Sequence, residues 1–322
     1  MLVWNAWAEK QRMREPAVVA DVRPCEPTAL AHLFMLNSRR EETVRKTALL
    51  LMLAIPSVCH AWGADGHKII ARIAARNLDP QARAAVKAIL EGQTLVDVCS
   101  WADQVRKQPK YIFTDGCHGV KIPVGAERFE LDRDCPEGRC APAAIEKYAA
   151  IVRDPKATRA ERQDALKFVI HFVSDIHCPV HASYSNAAGK VAGEVFFFGE
   201  KASIHKVWDA SLIARTEKPW KRYAAELNRA ITPEQRREWA KVMNPCDWAT
   251  ESHRAYVEFA AVPPDKNTLG EEYYQRAIPV VNERLSMGGI RLAVFLNKLL
   301  GEASATQPAA TQPAATLQPV AH

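Results

Sequence analysis

The chain has 322 residues, 48% of them hydrophobic and 25% charged, and a formal net charge of +6. That length can bury one large hydrophobic core or two smaller ones. Eight basic against six acidic residues place +2 of the charge in residues 1–61, so the remainder is only mildly basic; the surplus permits a polyanionic substrate but by itself assigns no partner.

In chain order, the segment "MLNSRREETVRKTALLLMLAIPSVCHA" carries Arg39, Arg40, Arg45 and Lys46, then an apolar run from Thr47 to Val58, then the small residues Cys59 and Ala61. It reads as a secretory signal peptide over 35–61, cleaved before Trp62, and the expected location is secreted or periplasmic. The run is too short for the roughly 20 residues that span a bilayer, and no second run follows, so no transmembrane anchor is expected. A signal peptide starts near the amino terminus, so Met35 is the expected start and residues 1–34 read as an upstream mis-start.

Helical spacing then dominates: "HKIIARIAARNL", "PQARAAVKAILEG", "AAIEKYAAIVR", "ERQDALKFVIHFVSDIHC", "KRYAAELNRAI", "EQRREWAKVM", "WATESHRAYVEFA" and "GGIRLAVFLNKLL" place apolar residues three and four apart. The strand candidates are "GVKIPV" and "EVFFFG", which pair as a small hairpin or not at all. The expected fold is all-α with at most a short β-hairpin, in one domain over 62–300. Residues 301–322, rich in Ala, Thr, Gln and Pro, lack the apolar surface to order themselves and read as a disordered tail. There is no internal repeat, phosphate-binding glycine loop or G-x-S-x-G elbow. Six of the eight cysteines follow Trp62. In an exported chain an even count favours disulfides, and "CPEGRC" suggests a short loop closed by Cys135 and Cys140, the remaining pairings staying open.

Histidines concentrate the chemistry. In "HFVSDIHCPVH", His171 and Asp175 stand four apart and share one helix face, while His181 follows after Pro179 has ended the helix. In "HKVWD", His205 and Asp209 repeat the spacing. Imidazole and carboxylate bind zinc at about 2.0–2.2 Å, and an i, i+4 pair offers two ligands from one rigid scaffold. One such pair arises easily by chance as a helix contact. Two pairs, joined by His181 and flanked by Phe168, Phe172 and Trp208, are better explained by a metal, since a carboxylate buried on an apolar helix needs a compensating cation. His177, two residues past Asp175, points off that face and reads as packing, as does His253; "FFF" at 196–198 reads as a buried strand, with a base-stacking role as the alternative.

"WGADGH" with Trp62 and His67, "SWADQVR" with Asp103 and Arg106, "GCHGVKIP" with His118, then "HFVSDIHCPVH", "HKVWD" and "GGIRLAVFLN" resemble, in order and spacing, the zinc-dependent single-strand nucleases of the S1/P1 family, over essentially all of residues 62–300. The resemblance implies a mostly helical fold related to zinc phospholipase C and three zinc ions. It implies a first site from Asp103, His118, His171 and Asp175, and a second from His181, His205 and Asp209. The third is implied to form from the amine and carbonyl of an amino-terminal Trp62 with His67, Asp175 bridging to the first ion. Asp175 and Arg106 are the implied catalytic residues, Arg106 on the phosphate. The implied activity is hydrolysis of single-stranded RNA or DNA to 5′-phosphates, with 3′-nucleotidase activity as an extension; no stable protein partner is implied. Departures are Gly119 and Lys121 where better-known members place an aromatic and an acidic group toward the base, "NAAGK" at 186–190, and Cys178 in place of a common glutamine. None of these is expected to touch a metal ligand. The alternatives are a zinc phospholipase C-type phosphodiesterase and a nonenzymatic zinc-binding protein.

Overall fold

The computed structural model describes residues 62–184 and 193–305, with side chains as far as Gly301. The expectations for residues 1–61, for 186–190 and for the tail beyond Ala305 lie outside the described residues.

The longer helices are α1 (Ala64–Asn77), α2 (Pro80–Ile89), α3 (Ala141–Arg153), α4 (Arg159–Asp175), α5 (Trp220–Ala230), α6 (Pro233–Lys241), α7 (Pro245–Ala255) and α8 (Glu271–Ala305). Local chemistry explains several of their starts. Asp79 accepts from the Ala82 amide at 2.7 Å to cap α2, and Thr158 with Glu161 forms a reciprocal capping box at the start of α4. From Ala165 to Asp175 every residue of α4 is buried, so this half of the helix is enclosed on all sides and carries Lys167, His171, Ser174 and Asp175 into the interior. α3 and α8 pack against it, and α1 packs against α5 and α8. Gly289 makes the α1–α8 approach close: a Cβ there would lie 2.5 Å from Ile73 Cγ2.

The fold class agrees with the sequence reading, with two differences. First, the two expected strands do not pair with each other, an outcome that the sequence leaves open, but each pairs with a segment that the sequence does not mark as a strand. β1 (Val120–Ile122) pairs in parallel with β2 (Ala182–Tyr184), while β3 (Glu194–Phe197) forms a hairpin with β4 (Glu200–Ser203) and a parallel pair with β5 (Thr268–Leu269). Phe198 and Gly199 turn the hairpin with φ of 52° and 84°, the backbone that suits the twist of a two-residue connection. Second, α8 runs through Gly301 to Ala305, into the stretch read as tail; the segment 301–305 contains no proline to interrupt it. Among the described residues no helix is long and apolar enough to cross a membrane.

Candidate metal centre

Each candidate ligand sits at an element end or in a short element, where one rigid segment can aim one side chain. His67 lies on the first turn of α1, just after the fully buried Trp62. Asp103 belongs to the short helix Trp101–Val105, and His118 ends the 3-10 helix Ile112–His118. His171 and Asp175 occupy the last turns of α4. His181 closes the 3-10 turn Pro179–His181, His205 lies in the helical turn Ile204–Lys206, and Asp209 in the π-helical turn Val207–Ser211. The β1–β2 pair begins directly beyond His118 and His181 and fixes those two histidines to each other. Gly119 makes that approach possible, since a Cβ there would collide with the His181 carbonyl oxygen.

Three histidines converge on Asp175. Its Oδ1 lies 3.3 Å from His67 Nε2, and its Oδ2 lies 3.0 Å from His118 Nδ1 and 3.1 Å from His171 Nε2. Asp103 Oδ1 lies 3.5 Å from His118 Nδ1 and 3.6 Å from His171 Nε2. Oδ1 of Asp175 therefore faces His67 and Oδ2 faces His118 and His171; His67, His171 and Asp175 form one set of candidate ligand atoms within 4.8 Å of one another, and Asp103, His118 and His171 form a second set that shares His171. His171 is held by its other nitrogen, Nδ1, 2.7 Å from the Cys99 carbonyl, which leaves Nε2 aimed at the cluster.

The electrostatics call for a cation. Burial works to raise the pKa of Asp103, yet the charge of His171, whose Nε2 lies 3.6 Å from Oδ1, holds it at about 2. Asp175 is fully buried and likewise held well below the carboxylate range by His171 and His181. Burial lowers His67 to about 4, reinforced by the neighbouring His171. His171 shifts the other way: burial opposes its charge, but Asp175 and Asp103 raise it well above its ordinary value. In this state the single charge of a His171 imidazolium offsets only part of that of the two buried carboxylates. Both oxygens of Asp103, Oδ1 of Asp175 and Nε2 of His118 still have no hydrogen-bond partner. Buried carboxylates and imidazoles with unsatisfied atoms pointing at one another fit a divalent metal, whose binding displaces the proton.

A neighbouring group contains His181, Asp209 and Cys178, with His205 at its edge. His205 Nε2 is 3.1 Å from Asp209 Oδ2, and His181 Nε2 is 3.7 Å from Asp209 Oδ1. His181 Nδ1 bonds to the His118 carbonyl, linking the two groups. The Gly63 amide donates to the Asp209 carbonyl at 2.7 Å, so the start of the described chain is tied to this second group. Here the structure corrects one sequence expectation. Cys178 does touch a candidate ligand, its Sγ lying 3.4 Å from Asp209 Oδ1, and Gly119 presses on the backbone of His181. Burial, and then Asp209, push the Cys178 thiol well above its ordinary value.

A cavity of about 480 Å³ opens over the site, lined by Arg106, His118, Lys121, Arg139, His181 and His205 among others. The Arg106 guanidinium is fixed by Asp115, Nε to Oδ1 at 2.8 Å, and reaches within 3.7 Å of Asp103. Lys121 donates to Ser183 Oγ at 2.6 Å. The Cys135–Cys140 disulfide is formed, and its loop contributes Pro136 and Arg139 to the cavity wall. Cys99, Cys117, Cys178 and Cys246 are free thiols.

His177 and His253 are buried and stand apart from the donor groups. His177 Nδ1 bonds to the Val173 carbonyl at 2.7 Å, and His253 Nδ1 to the Ala182 carbonyl at 2.7 Å. Sequence reasoning missed the network around His177. Arg291 makes a two-pronged pair with Glu251 at 2.6 and 2.9 Å, and Arg284 Nε donates to the His177 carbonyl at 3.1 Å. Arg284 also reaches Ser252, whose hydroxyl bonds to the Ile176 carbonyl. The turn between Asp175 and His181 is thereby pinned to α7 and α8. The available signal was the arginine inside the apolar "GGIRLAVFLN". Of "FFF", Phe197 is buried and Phe196 is 39% exposed, as an alternating strand requires.

Comparison with known proteins adds to this geometry. The sequence profile described as S1/P1 Nuclease matches residues 62–301. Endonuclease 2 of Arabidopsis thaliana is 34% identical over 278 residues, covering 78% of this chain and 94% of its own length. Nuclease S1 of Aspergillus oryzae is 26% identical over 279 residues, covering 78% and 96%, and Nuclease P1 of Penicillium citrinum is 24% identical over 271 residues, covering 76% and 100%.

Proposed function

Because this chain belongs to the S1/P1 nuclease family, we propose that it is an exported zinc-dependent endonuclease that hydrolyses single-stranded RNA or DNA to 5′-phosphate products and also acts on 3′-nucleotides. The observation that carries the reading is Asp175, whose two oxygens face two donor groups at 3.0–3.3 Å. In this proposal Asp103, His118, His171 and Asp175 hold one zinc, His181, His205 and Asp209 a second, and His67 with the freed amine and the carbonyl of Trp62 a third. Signal removal before Trp62 creates that amine, and the processed enzyme is secreted or periplasmic.

Bound zinc supplies Lewis-acid polarisation of a phosphate oxygen and a water acidic enough to ionise near neutral pH. The chain's own residues do the rest. Asp175 sets the spacing of the two groups that it faces. His171 and His181, each anchored through Nδ1, keep a fixed ring orientation and reorganise little during the reaction. Arg106, held by Asp115, presents its guanidinium to the cavity, where it receives the phosphate through charge-assisted hydrogen bonds. The open cavity supports an enzymatic role, since structural zinc sites are usually closed.

The test is incubation of the processed protein with single-stranded DNA and, separately, with phosphatidylcholine. Release of 5′-phosphorylated nucleotides without phosphocholine is expected. Phosphocholine release without nucleotides overturns the proposal in favour of a phospholipase C-type enzyme, and no hydrolysis of either favours a nonenzymatic zinc protein.

A further inference from the structure

We propose that Cys178 is a positioning residue for the second metal site: its thiol holds Asp209 Oδ1 so that Asp209 Oδ2 remains directed toward the ion. The inference rests on the reading above that His181, His205 and Asp209 bind a metal.

The ligands share a pattern of anchoring. His171 is fixed through Nδ1 on the Cys99 carbonyl, 2.7 Å away, with Nε2 toward the cluster. His181 is fixed through Nδ1 on the His118 carbonyl, and its Nε2, in a residue only 5% exposed, has no hydrogen-bond partner. Asp209 repeats the pattern with a carboxylate. One oxygen, Oδ1, accepts from Cys178 Sγ at 3.4 Å. The other, Oδ2, has no hydrogen-bond partner and lies 3.1 Å from His205 Nε2. Each ligand thus has one polar atom tied to the scaffold and one left for the ion, the usual division between ligand and outer-shell contact.

Cys178 suits the role because it is immobile. It is fully buried, its amide bonds to the Asp175 carbonyl at 2.8 Å, and Pro179 follows it. Its place is therefore set by the same turn that carries Asp175 and His181. An S–H is a weak donor, but a buried carboxylate is a strong acceptor, and Cys178 Sγ at 3.4 Å is nearer to Oδ1 than His181 Nε2 at 3.7 Å. Asp209 is 2% exposed, so water does not compete for the same oxygen.

The test uses the processed protein and two variants, Cys178→Val, similar in volume but without a donor, and Cys178→Ser, which keeps one. Zinc per chain is measured against rising concentrations of a competing chelator, together with the absorption spectrum of the cobalt-substituted parent. Cys178→Val is expected to release one of its zinc ions at about 10- to 100-fold lower chelator strength, the range for loss of an outer-shell partner. Cys178→Ser is expected to stay close to the parent. Equal zinc retention by Cys178→Val and parent overturns the inference, as does equal loss in both variants. A sulfur-to-cobalt charge-transfer band in the parent overturns it differently, by showing that the sulfur is itself a ligand, and this measurement does not depend on any variant folding. A parent that binds no metal fails the functional proposal, whereas a fully loaded parent with an indifferent Cys178→Val fails this inference alone.

Discussion

Asp175→Asn removes the charge at the point where the two donor groups meet while leaving the side chain's shape almost unchanged. Asp175 is fully buried, with Oδ1 at 3.3 Å from His67 and Oδ2 at 3.0 and 3.1 Å from His118 and His171. In the proposed ligand set the substitution takes one anionic oxygen from each of two ions. Loss of an outer-shell partner alone costs 10- to 100-fold in metal affinity, so loss of a shared ligand should cost at least about 100-fold for each ion, or about 2.8 kcal/mol. The expected result is loss of two zinc ions after dialysis and a fall in single-stranded DNA hydrolysis of about 1,000-fold or more, with helical circular dichroism retained. Elemental analysis, a fluorescent-oligonucleotide assay and the spectrum read these three quantities on one sample. A folded Asp175→Asn protein with full zinc and near-parental activity would refute the bridging argument.

Glu251→Gln leaves Arg291 and Arg284, 1% and 4% exposed, without their carboxylate. Breaking a buried pair costs about 3–5 kcal/mol, and with the Glu251 side chain 30% exposed about 2–3 kcal/mol is expected, lowering Tm by about 4–12 °C in a thermal melt. The pH dependence of that loss has a definite sign. Burial pushes Glu251 up, but the hydrogen bond and charge of Arg291 hold it below its ordinary value of 4.5; its contribution is full above that value and lost as pH falls through the folded pKa, so parent and variant melts should converge below about pH 4.5. Arg106→Ala should lower kcat/KM on single-stranded DNA about 100-fold while changing stability by no more than about 1 kcal/mol, as expected for a partly exposed ion pair; unchanged kinetics would remove Arg106 from the phosphate site. A glycine placed before Trp62 in the processed chain should cost one zinc per chain and most activity, read by elemental analysis, and full zinc in that form would exclude the amine as a ligand.

The helices were legible in the sequence because they follow short-range rules, whereas the order of the candidate ligands was implied by the family resemblance. His171 with Asp175 and His205 with Asp209 are four apart, and this spacing alone predicts one helical face. The β1–β2 pairing was not legible: Ala182–Tyr184 is three residues long and has no period of its own, and its partner lies about sixty residues earlier. The full length of α8 was hidden by Pro279, which normally argues against a helix interior and here is carried through it. The Glu251–Arg291–Arg284 network was missed because no spacing joins residues on two different helices. Cys178 was read as harmless because sequence adjacency placed it between Asp175 and His181 without showing that its side chain reaches across to Asp209.

The most direct test of the central claim is amino-terminal sequencing, zinc analysis and single-stranded DNA hydrolysis on one secreted preparation. The account predicts Trp62 first, three zinc ions per chain, and hydrolysis abolished by chelation and restored by zinc. Hydrolysis that survives complete removal of metal, or an active enzyme that begins at another residue and still holds three zinc ions, would contradict it.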